Sequence, residues 1–446
     1  MLKPLLSRWL SDYGMVLVLA LLCVFFSVVT FSEQSPAGEG AGRQVAGLIQ
    51  KQFGRAARVL IVGRDQPDDA AFATALSRDL TASGGEVLAT VKGEPKQARD
   101  ALLKLAAAGD KLDAIACTQA VSEWLVFSNL QADFPGLGEP LVLKPQTYRW
   151  PNFLKSENLL NIANQIAVIA IVAIGMTIVI ITGGIDLSVG SLIALAAVLA
   201  ALLIRDFAGG ANASAAGMTV ACLTAIVLCG LVGGFSGAMI TLFRIPPFIV
   251  TLAMMLVGSG LAYILAKGQS VYQIPDSFVW LGRGADLFGI PNAVLLMVVL
   301  YFAAHVLMSR MRLGRYIYAV GGNREAARLS GVRVDRVLMF AYIASGVVAG
   351  LGGVIMASQL KSGSPTYGAM YELYVIAAVV VGGASLNGGQ GKMLGTLIGA
   401  FTIAVIQNGM NLTNVESYTQ KVVLGLVILA AVLIDMLRHR RLGFPA

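Results

Sequence analysis

Residues 158–185 read NLLNIANQIAVIAIVAIGMTIVIITGGI and contain no charged side chain. A helix needs about 20 predominantly apolar residues to cross the hydrocarbon core of a bilayer, so this run is long enough for one crossing. Nine further uncharged runs lie along the chain, at 13–32, 187–204, 207–243, 245–266, 287–309, 337–360, 373–391, 393–415 and 422–434. The last run is short, but Lys421 and Asp435 at its ends can extend toward the membrane surface. The pattern predicts an α-helical polytopic membrane protein with about ten transmembrane helices.

The composition agrees with this interpretation. Of the 446 residues, 57% are hydrophobic and 13% are charged, and the mean hydropathy is +0.75, whereas an ordinary soluble domain is about 45–50% apolar and about 25% charged. These values exclude a soluble enzyme and a disordered regulator. Residues 32–157 hold 14 Lys/Arg and 15 Asp/Glu, while the other 320 residues hold 19 and 10. One soluble domain therefore interrupts a membrane protein.

The first uncharged run has two interpretations. Lys3 and Arg8 precede it, as basic residues precede the apolar region of a secretory signal peptide. That region is only about 7–15 residues long and ends at an A-x-A-like cleavage site, which the sequence around Phe31 does not provide. We therefore expect a retained transmembrane helix in residues 1–32, an inserted domain at 33–151 and the remaining helices at 152–440.

The basic residues of the short loops predict the orientation, because Lys and Arg are enriched on the cytoplasmic side of a membrane. With the N-terminus inside, the inner segments hold 14 of them: Lys3, Arg8, Arg244, Arg310, Arg312, Arg315, Arg324, Arg328, Arg333, Arg336, Lys392, Arg438, Arg440 and Arg441. The outer loops hold five: Arg205, Lys267, Arg283, Lys361 and Lys421. Both termini are therefore expected in the cytoplasm, and the inserted domain on the outer side.

The inserted domain alternates between strand-like and helix-like patterns. Short apolar strands are predicted at 58–63, 86–91 and 112–117, and helices at 67–83 and 94–109. Pro67 and Pro95 stand near the helix starts, and Gly84 and Gly109 near the helix ends. This alternation predicts a small α/β domain with a parallel sheet. About 110 residues are enough to bury a modest core.

The cysteines and histidines form no metal-binding or disulfide pattern. The four cysteines are Cys117, alone in the polar domain, and Cys23, Cys222 and Cys229 in apolar runs; the histidines are His305 and His439. We expect packing roles for the cysteines and no metal site.

The basic inner loop at 310–336 contains the segment NREAARLSG at 323–331. Asn323 can cap the start of a short amphipathic helix, Glu325 suits its positive N-terminal end, and Gly331 can close it. An ordinary cytoplasmic loop would explain the arginines alone. We favour a helix that docks in a groove of a partner subunit.

Four motifs resemble those of the membrane permeases of ribose-type ABC importers. They are GMTIVIITGGIDLSVGS at 175–191, RIPPFIVTL at 244–252, the loop at 314–331, and YEL at 371–373 with VGGASLNGGQG at 381–391. The resemblance covers roughly residues 1–31 and 152–440. It implies ten helices with both termini inside, and a transport subunit rather than an enzyme.

The resemblance also implies the partners. These are an ABC ATPase subunit that carries ATP and Mg²⁺, a second permease chain that is identical or a paralogue, a periplasmic solute-binding protein, and membrane lipid. No cofactor on this chain and no nucleic acid are implied. The solute is a sugar or polyol, since members of the family carry pentoses, hexoses, polyols and the furanose-like autoinducer-2. The location implied is the cytoplasmic (inner) membrane of a Gram-negative bacterium, with the inserted domain in the periplasm.

By the same resemblance, the ATPase docks on the short inner helix, at Asn323, Arg324, Glu325, Ala326, Ala327, Arg328, Leu329, Ser330 and Gly331.

Polar side chains within the apolar runs are candidates for the solute path or its gate. The chosen candidates are Asn164, Gln165, Asp186, Ser188, Gln359, Glu372 and Asn408; Asn161, Tyr371, Gln407 and Asn411 share the same surroundings. Hydroxyl-rich solutes need hydrogen-bonding partners, and an ionisable residue at membrane depth suggests function. The alternatives are bonds between helices, an N-cap role for Asp186 on the helix from residue 187, and an ion pair between Glu372 and Lys361.

Two segments superficially resemble ATP-binding motifs. Residues 386–390 read LNGGQ, as in an ABC signature, and Gly391 with Lys392 resembles the end of a P-loop. Met393 occupies the Ser/Thr position, however, and Leu386 the position of the first glycine. We therefore expect ATP hydrolysis on another subunit.

The inserted domain departs from this family, whose corresponding outer loop is usually short. Its pattern resembles one lobe of a periplasmic sugar-binding protein. Since a single lobe lacks the usual two-lobed cleft, we favour docking of a separate binding protein, or a lid over the pore, over autonomous ligand binding. The candidates at the predicted strand ends are Asp65, Gln66, Asp68, Thr118 and Gln119, with capping and loop solvation as their alternative.

Two other functions stay open. In a ligand-sensing receptor the outer domain would bind a ligand and the helices would signal, but only residues 437–446 follow the last predicted helix, too few for an output domain. An ATP-independent carrier would make no use of the loop at 310–336.

Overall fold

The computed structural model describes residues 2–441 and divides the chain into two compact units. The first, the helical unit, is formed by the chain up to Thr30 and from Asn152 onward; the second, the insert, is Phe31–Pro151. The first helix, α1 (Leu2–Val29), belongs to the helical unit. The Asn152 backbone N–H donates to the Thr30 carbonyl at 3.0 Å. This hydrogen bond joins the two parts of the helical unit at the residues that flank the insert.

The insert is an α/β unit. Its strands are β1 (Phe31–Gln34), β2 (Arg58–Gly63), β3 (Glu86–Lys92), β4 (Ala114–Cys117), β5 (Leu141–Leu143) and β6 (Tyr148–Pro151). Its helices are α2 (Gly38–Phe53), α3 (Pro67–Ala82), α4 (Pro95–Ala107), α5 (Gln119–Ser122) and α6 (Leu130–Asp133), with 3₁₀ turns at Leu125–Phe127 and Pro135–Leu137. The parallel sheet has the order β3-β2-β4-β5, and β1 pairs with β6 in a separate antiparallel ribbon. Buried apolar clusters cover both faces of the sheet.

The rest of the helical unit is built from twelve α-helices within the described residues. They are α7 (Ser156–Ile181), α8 (Val189–Asp206), α9 (Ala215–Leu242), α10 (Pro247–Leu265), α11 (Trp280–Arg283), α12 (Asn292–Arg310), α13 (Arg312–Gly322), α14 (Arg324–Leu329), α15 (Val334–Leu360), α16 (Tyr371–Val381), α17 (Met393–Leu412) and α18 (Ser417–Arg441). Short 3₁₀ turns lie at Asn152–Leu154, Gly210–Asn212 and Asp276–Val279.

Seven of the helices described in residues 2–441 are long and apolar enough to cross a membrane: α7, α8, α9, α10, α12, α15 and α17. Three shorter apolar stretches, Gly14–Val29, Tyr371–Val381 and Ser417–Ala430, accompany them. These helices confirm a polytopic membrane protein, while the count of ten crossings stays a prediction. Helix α7 is the centre of the unit, because every residue from Ile166 to Ile181 is buried. A helix that is apolar all round belongs in such a position.

The run at 373–391 does not form the long helix that its hydropathy suggests. Helix α16 ends at Val381 after 11 residues, which is about 16 Å and half a bilayer core. Three glycines after it, Gly383, Gly388 and Gly389, have positive φ angles of 87°, 88° and 73°. Glycine adopts this left-handed backbone without a Cβ penalty, so an uncharged run becomes a tight turn.

Helices α9 and α15 cross at close range through glycines. A Cβ added at Gly346 of α15 would overlap the carbonyl oxygen of Cys229, and one at Gly233 of α9 would overlap that of Tyr342. Small residues allow such approaches between membrane helices, where dispersion contacts and hydrogen bonds replace the hydrophobic effect as the attraction.

We therefore expect Gly346→Ala to lower the thermal unfolding temperature of the detergent-solubilised protein, because the helices must separate or strain by about 1–3 kcal/mol. Gly260→Ala on α10 is the matched control, since nothing lies within 4 Å of a Cβ at that position. An unchanged unfolding temperature for Gly346→Ala would contradict the close crossing.

Candidate functional site

A cavity of about 270 Å³ lies inside the helical unit between α7, α15, α16 and α17. We call it the amide cavity, because three glutamine side chains line it. Its lining residues are Ile162, Gln165, Ile166, Ile169, Met356, Gln359, Leu360, Tyr371, Ala404 and Gln407. The first half of α7 and the end of α15 contribute most of them. The site is mainly apolar with a few converging polar groups, as ligand sites usually are.

The three glutamines of the amide cavity differ in their freedom. The Gln359 side-chain amide donates to the Asn164 carbonyl at 3.0 Å, so its amino group is occupied by α7. The hydrogen bonds described for residues 2–441 include none from the side chains of Gln165 or Gln407. These two amides, each with donor and acceptor capacity, are available to a ligand. Gln407 stood outside the chosen candidates, because nothing in the sequence places it opposite Gln165.

Glu372 faces a different space, the carboxylate cavity, of about 290 Å³. The polar or glycine members of its lining are Gly190, Ser191, Ser259, Tyr263, Thr366, Tyr367, Gly368 and Glu372. The alternative role weighed for Glu372, an ion pair with Lys361, is not formed, because Lys361 pairs with Asp276 instead. Lys361 follows the end of α15 in a left-handed conformation.

Asn408 does not line either cavity. Its side-chain amide donates to Asn158 Oδ1 at 2.8 Å, and the Asn158 amide donates back to Asn408 Oδ1 at 3.0 Å. This reciprocal pair ties α17 to the start of α7 and satisfies both amides. Asn408 therefore bonds between helices, the alternative role weighed for the polar residues.

Asp186 lies in the break between α7 and α8 and is 1% exposed. Its Oδ1 accepts from the Ser188 backbone N–H at 3.0 Å and from the Ser188 hydroxyl at 2.6 Å, and its Oδ2 accepts from the Ser345 hydroxyl at 2.7 Å. Helix α8 begins at Val189 with Ser188 as its N-cap, so the expected cap on a helix from residue 187 is displaced by two residues. Asp186 bonds across the break and links it to α15. Neither Asp186 nor Ser188 lines the amide cavity or the carboxylate cavity.

The short amphipathic helix predicted at 323–331 is present as α14. Asn323 Oδ1 accepts from the Ala326 backbone N–H at 2.9 Å, which confirms the expected N-cap. Gly331 has a φ of +82°, and the Val332 N–H donates to the Ala327 carbonyl at 3.0 Å, closing the helix in a Schellman arrangement. Leu329 is 89% exposed, and Glu325 pairs with Arg328 on the surface at 3.0 Å. The helix thus presents one large apolar side chain, Leu329, beside the charged side chains of Glu325 and Arg328.

In the insert, the structure separates the five strand-end candidates. Asp65, Gln66 and Asp68 are exposed around the start of α3. Thr118 is buried, and its hydroxyl donates to Asp69 at 3.3 Å. Gln119 lines a shallow depression of about 530 Å³ at the carboxyl end of the sheet, with Glu33, Lys144, Pro145, Gln146 and Thr147.

Asp69 was missed among these residues, although it joins two strand ends. Its carboxylate is 3% exposed and accepts from the Arg64 backbone N–H at 2.8 Å and from the Arg64 guanidinium at 3.1 Å. Burial alone would raise the pKa of Asp69, but the bonds and charge of Arg64 and the Thr118 hydroxyl outweigh it and lower the pKa. The acidic pattern of α3 did not distinguish Asp69 from the exposed Asp68.

The insert contains one cysteine, Cys117, and the metal-ligating residue types can be compared across the part of the chain that the structure describes. No three His, Cys, Asp or Glu side chains in that part cluster as metal ligands. Cys117 is buried in the insert core, which raises the pKa of its thiol to about 12 and keeps it protonated.

The apolar helices, with two cavities that each contain a few polar groups, define a polytopic membrane protein. Residues 158–432 match the family described as branched-chain amino acid transport system / permease component. The chain belongs to this family, and it is an ABC importer permease, a transport component rather than an enzyme.

Three relatives place the chain more closely within the family. It is 44% identical to the ribose import permease protein RbsC of Escherichia coli (strain K12) over 289 residues, covering 64% of this chain and 87% of the relative. The L-arabinose transport system permease protein AraH of the same strain is 39% identical over 299 residues, covering 65% and 86%. The D-allose transport system permease protein AlsC is 35% identical over 285 residues, covering 64% and 85%. No solved structure matches the chain.

Proposed function

We propose that the chain carries a monosaccharide, or a related small polyhydroxylated solute, into the cell as the permease of an ATP-driven importer. The observation that supports this most strongly is the 44% identity with a ribose import permease over nearly the whole length of that relative. The relatives named for L-arabinose and D-allose point to the same class of solute. The proposed class of solute includes pentoses, hexoses and polyols.

The two ends of α7 support an arrangement for transport. The amide cavity lies beside the first half of the helix. At the other end, the carbonyl of Thr182, the residue after the helix, accepts a hydrogen bond from Arg324 of α14 at 3.3 Å. Gln165 and Ile181 are 16 residues apart, about 24 Å along a helix. With both termini in the cytoplasm, as the basic loops predict, the cavity lies toward the outer side and α14 lies toward the ATPase.

The amide cavity is proposed as part of the solute path. The free amides of Gln165 and Gln407 can each donate to and accept from sugar hydroxyls, and the apolar lining fits the carbon face of a sugar ring. Glu372 in the carboxylate cavity is a second candidate along the path, because a carboxylate accepts hydroxyl hydrogen bonds strongly. Asp186, Ser188 and Asn408 support the helices around the path.

The partner assembly is proposed from the same family relationship. An ABC importer permease works with an ATPase and a solute-binding protein in general. We place the ATPase on the segment from Asn323 to Gly331, whose exposed Leu329 and charged rim suit a subunit groove. A second permease chain completes the path, and ATP with Mg²⁺ binds to the ATPase. The assembly lies in the bacterial inner membrane.

The insert is proposed as a periplasmic docking domain for the solute-binding protein or a lid over the pore. Asp65, Gln66 and Asp68 are exposed beyond the carboxyl end of β2, where a partner can reach them. The depression beside Gln119 is shallow, and Thr118 is already bonded to Asp69, so the described contacts favour docking over autonomous ligand binding.

An ATP-independent carrier is the second candidate. It would leave the capped, exposed α14 without a function, and co-purification of a cognate ATPase with the chain excludes it. A ligand-sensing receptor would require solute binding to the insert without net uptake, which a transport assay in vesicles distinguishes.

The first expected outcome concerns the amide cavity. Gln165→Leu should raise the solute concentration for half-maximal uptake about fivefold, because one hydrogen bond to the solute is worth about 1 kcal/mol. Uptake of radiolabelled ribose, arabinose and allose into proteoliposomes measures this. Gln269→Leu, at an exposed loop position, is the control. Equal uptake by both variants would remove Gln165 from the path.

A second outcome concerns the docking helix. Glu325→Lys should leave folding intact, because the exposed Glu325–Arg328 pair contributes little stability. Reversing the charge at the ATPase-facing helix should uncouple hydrolysis from uptake, seen as ATP hydrolysed without solute movement. Glu416→Lys reverses an exposed charge in the α17–α18 loop and serves as control. Full uptake by the Glu325 variant would refute the docking role.

The insert is tested by binding of the solute-binding protein to the full chain in nanodiscs. Asp68→Lys should weaken this binding about tenfold, whereas Asp100→Lys, another exposed helical position, should not. The full chain in nanodiscs, without the solute-binding protein, is then heated with a panel of sugars and polyols. The unfolding temperature of its insert should show no saturable rise. Such a rise would overturn docking in favour of a built-in receptor, since ligand binding stabilises the folded state.

A further inference from the structure

The break between α7 and α8, residues 182–188, is bonded to three different helices. The Thr182 carbonyl accepts from the Arg324 guanidinium of α14 at 3.3 Å. The Ile185 carbonyl accepts from the Thr251 hydroxyl of α10 at 3.1 Å. Asp186 accepts from the Ser345 hydroxyl of α15 at 2.7 Å. The polar groups that a broken helix frees are thus divided among the docking helix and two membrane helices.

The contact on the side of α14 leaves no free space. Gly321, just before α14, packs so closely on the end of α7 that an added Cβ would overlap the Ile181 carbonyl oxygen. The same carbonyl accepts from the Gly389 N–H at 2.8 Å. A Cβ at Gly388 would lie 2.9 Å from the Gly321 carbonyl oxygen and 3.1 Å from the Gly183 nitrogen. Three backbone segments therefore touch directly, without side chains between them.

The contacts on the membrane side are buried. Asp186 is 1% exposed, and Ser345 and Thr251 are fully buried. Gly184 makes room for Tyr342, which lies one turn before Ser345. The Tyr342 hydroxyl is buried and has no hydrogen-bond partner among the described residues. Breaking buried polar bonds of this kind is costly, so the break and α15 are expected to move together.

We infer that residues 182–188 are a relay that passes displacement of α14 to α10 and α15, with Arg324, Asp186 and Ser345 as positioning residues. The inference rests on the proposed function of α14 as the ATPase docking site. When α14 is displaced, the packed glycines and the Arg324 bond move the end of α7. The Asp186–Ser345 and Ile185–Thr251 bonds then carry that movement to two helices that line the amide and carboxylate cavities. Packed interfaces transmit small shifts in this way because they do not deform continuously.

The experiment measures ATP hydrolysis and solute uptake by the full complex in proteoliposomes. Ser345→Ala removes the bond from α15, and Asp186→Ala removes all three bonds to the carboxylate. Both should retain the ATPase on purification, yet the solute moved per ATP hydrolysed should fall at least about fivefold. Asp186→Asn should restore most of the ratio, because its amide can still bond both serines. Ser236→Ala is the matched control, since this buried hydroxyl donates only to Val232 within its own helix.

A double-mutant cycle tests the connection independently of the solute. Arg324→Ala and Ser345→Ala act on two groups that do not bond each other, so unlinked effects on the ATPase rate would multiply. A relay predicts that the double variant departs from that product by about threefold or more. The relay is overturned if the effects of the two substitutions on the ATPase rate multiply. It is also overturned if Ser345→Ala and Ser236→Ala move the same amount of solute per ATP hydrolysed. Loss of ATPase co-purification with Arg324→Ala alone supports docking, and absence of ATPase binding to the unaltered chain refutes the proposed function itself.

Discussion

The constraint that orders this molecule is the lack of water in the bilayer core, where every backbone N–H and C=O needs a partner within the protein. Long helices satisfy it along most of the helical unit. At two of the places where an uncharged run stops being helical, after Ile181 and after Val381, the irregular backbone is bonded to other segments of the helical unit. The Ile181 carbonyl, left free by the first break, is satisfied by the Gly389 N–H of the second. Each interruption thus supplies the partner that the other requires.

This arrangement explains why glycines gather at the break. Gly183, Gly388 and Gly389 all have positive φ, and Gly321 faces them across a contact that no Cβ could enter. Glycine inside a membrane helix lowers helix propensity, but here it brings backbones within hydrogen-bonding distance. Helix α14 starts three residues after Gly321, so its position is fixed directly against the backbone at the end of α7. A side chain at this contact would have made the connection softer.

The hydropathy of the sequence predicts the membrane class well, because the relevant property, absence of charge over about 20 residues, is local. The strands predicted at 58–63, 86–91 and 112–117 lie at β2, β3 and β4 for a similar reason, as short apolar runs between Gly and Pro. What sequence could not supply was pairing over distance. Gln359 bonds Asn164 from 195 residues away, and Asn408 bonds Asn158 from 250. These pairings determine which polar groups are free to bind a solute. The sequence therefore names the seven path candidates but cannot separate those that line a cavity from those that bond between helices. Hydropathy also cannot separate a helix from a glycine turn, which is why the run at 373–391 was too long.

The two ends of the insert lie next to each other, which determines how easily a domain is accommodated at this position of the chain. Phe31 and Pro151 are cross-strand partners in the β1–β6 ribbon, and Thr30 and Asn152 are bonded to each other in the helical unit. Entry and exit therefore occupy one hairpin-like gap, which a few residues could bridge. A domain gained at such a gap leaves the host helices in register, whatever its size. An insertion at this gap therefore requires no compensating change in the helical unit, because Thr30 and Asn152 stay bonded to each other.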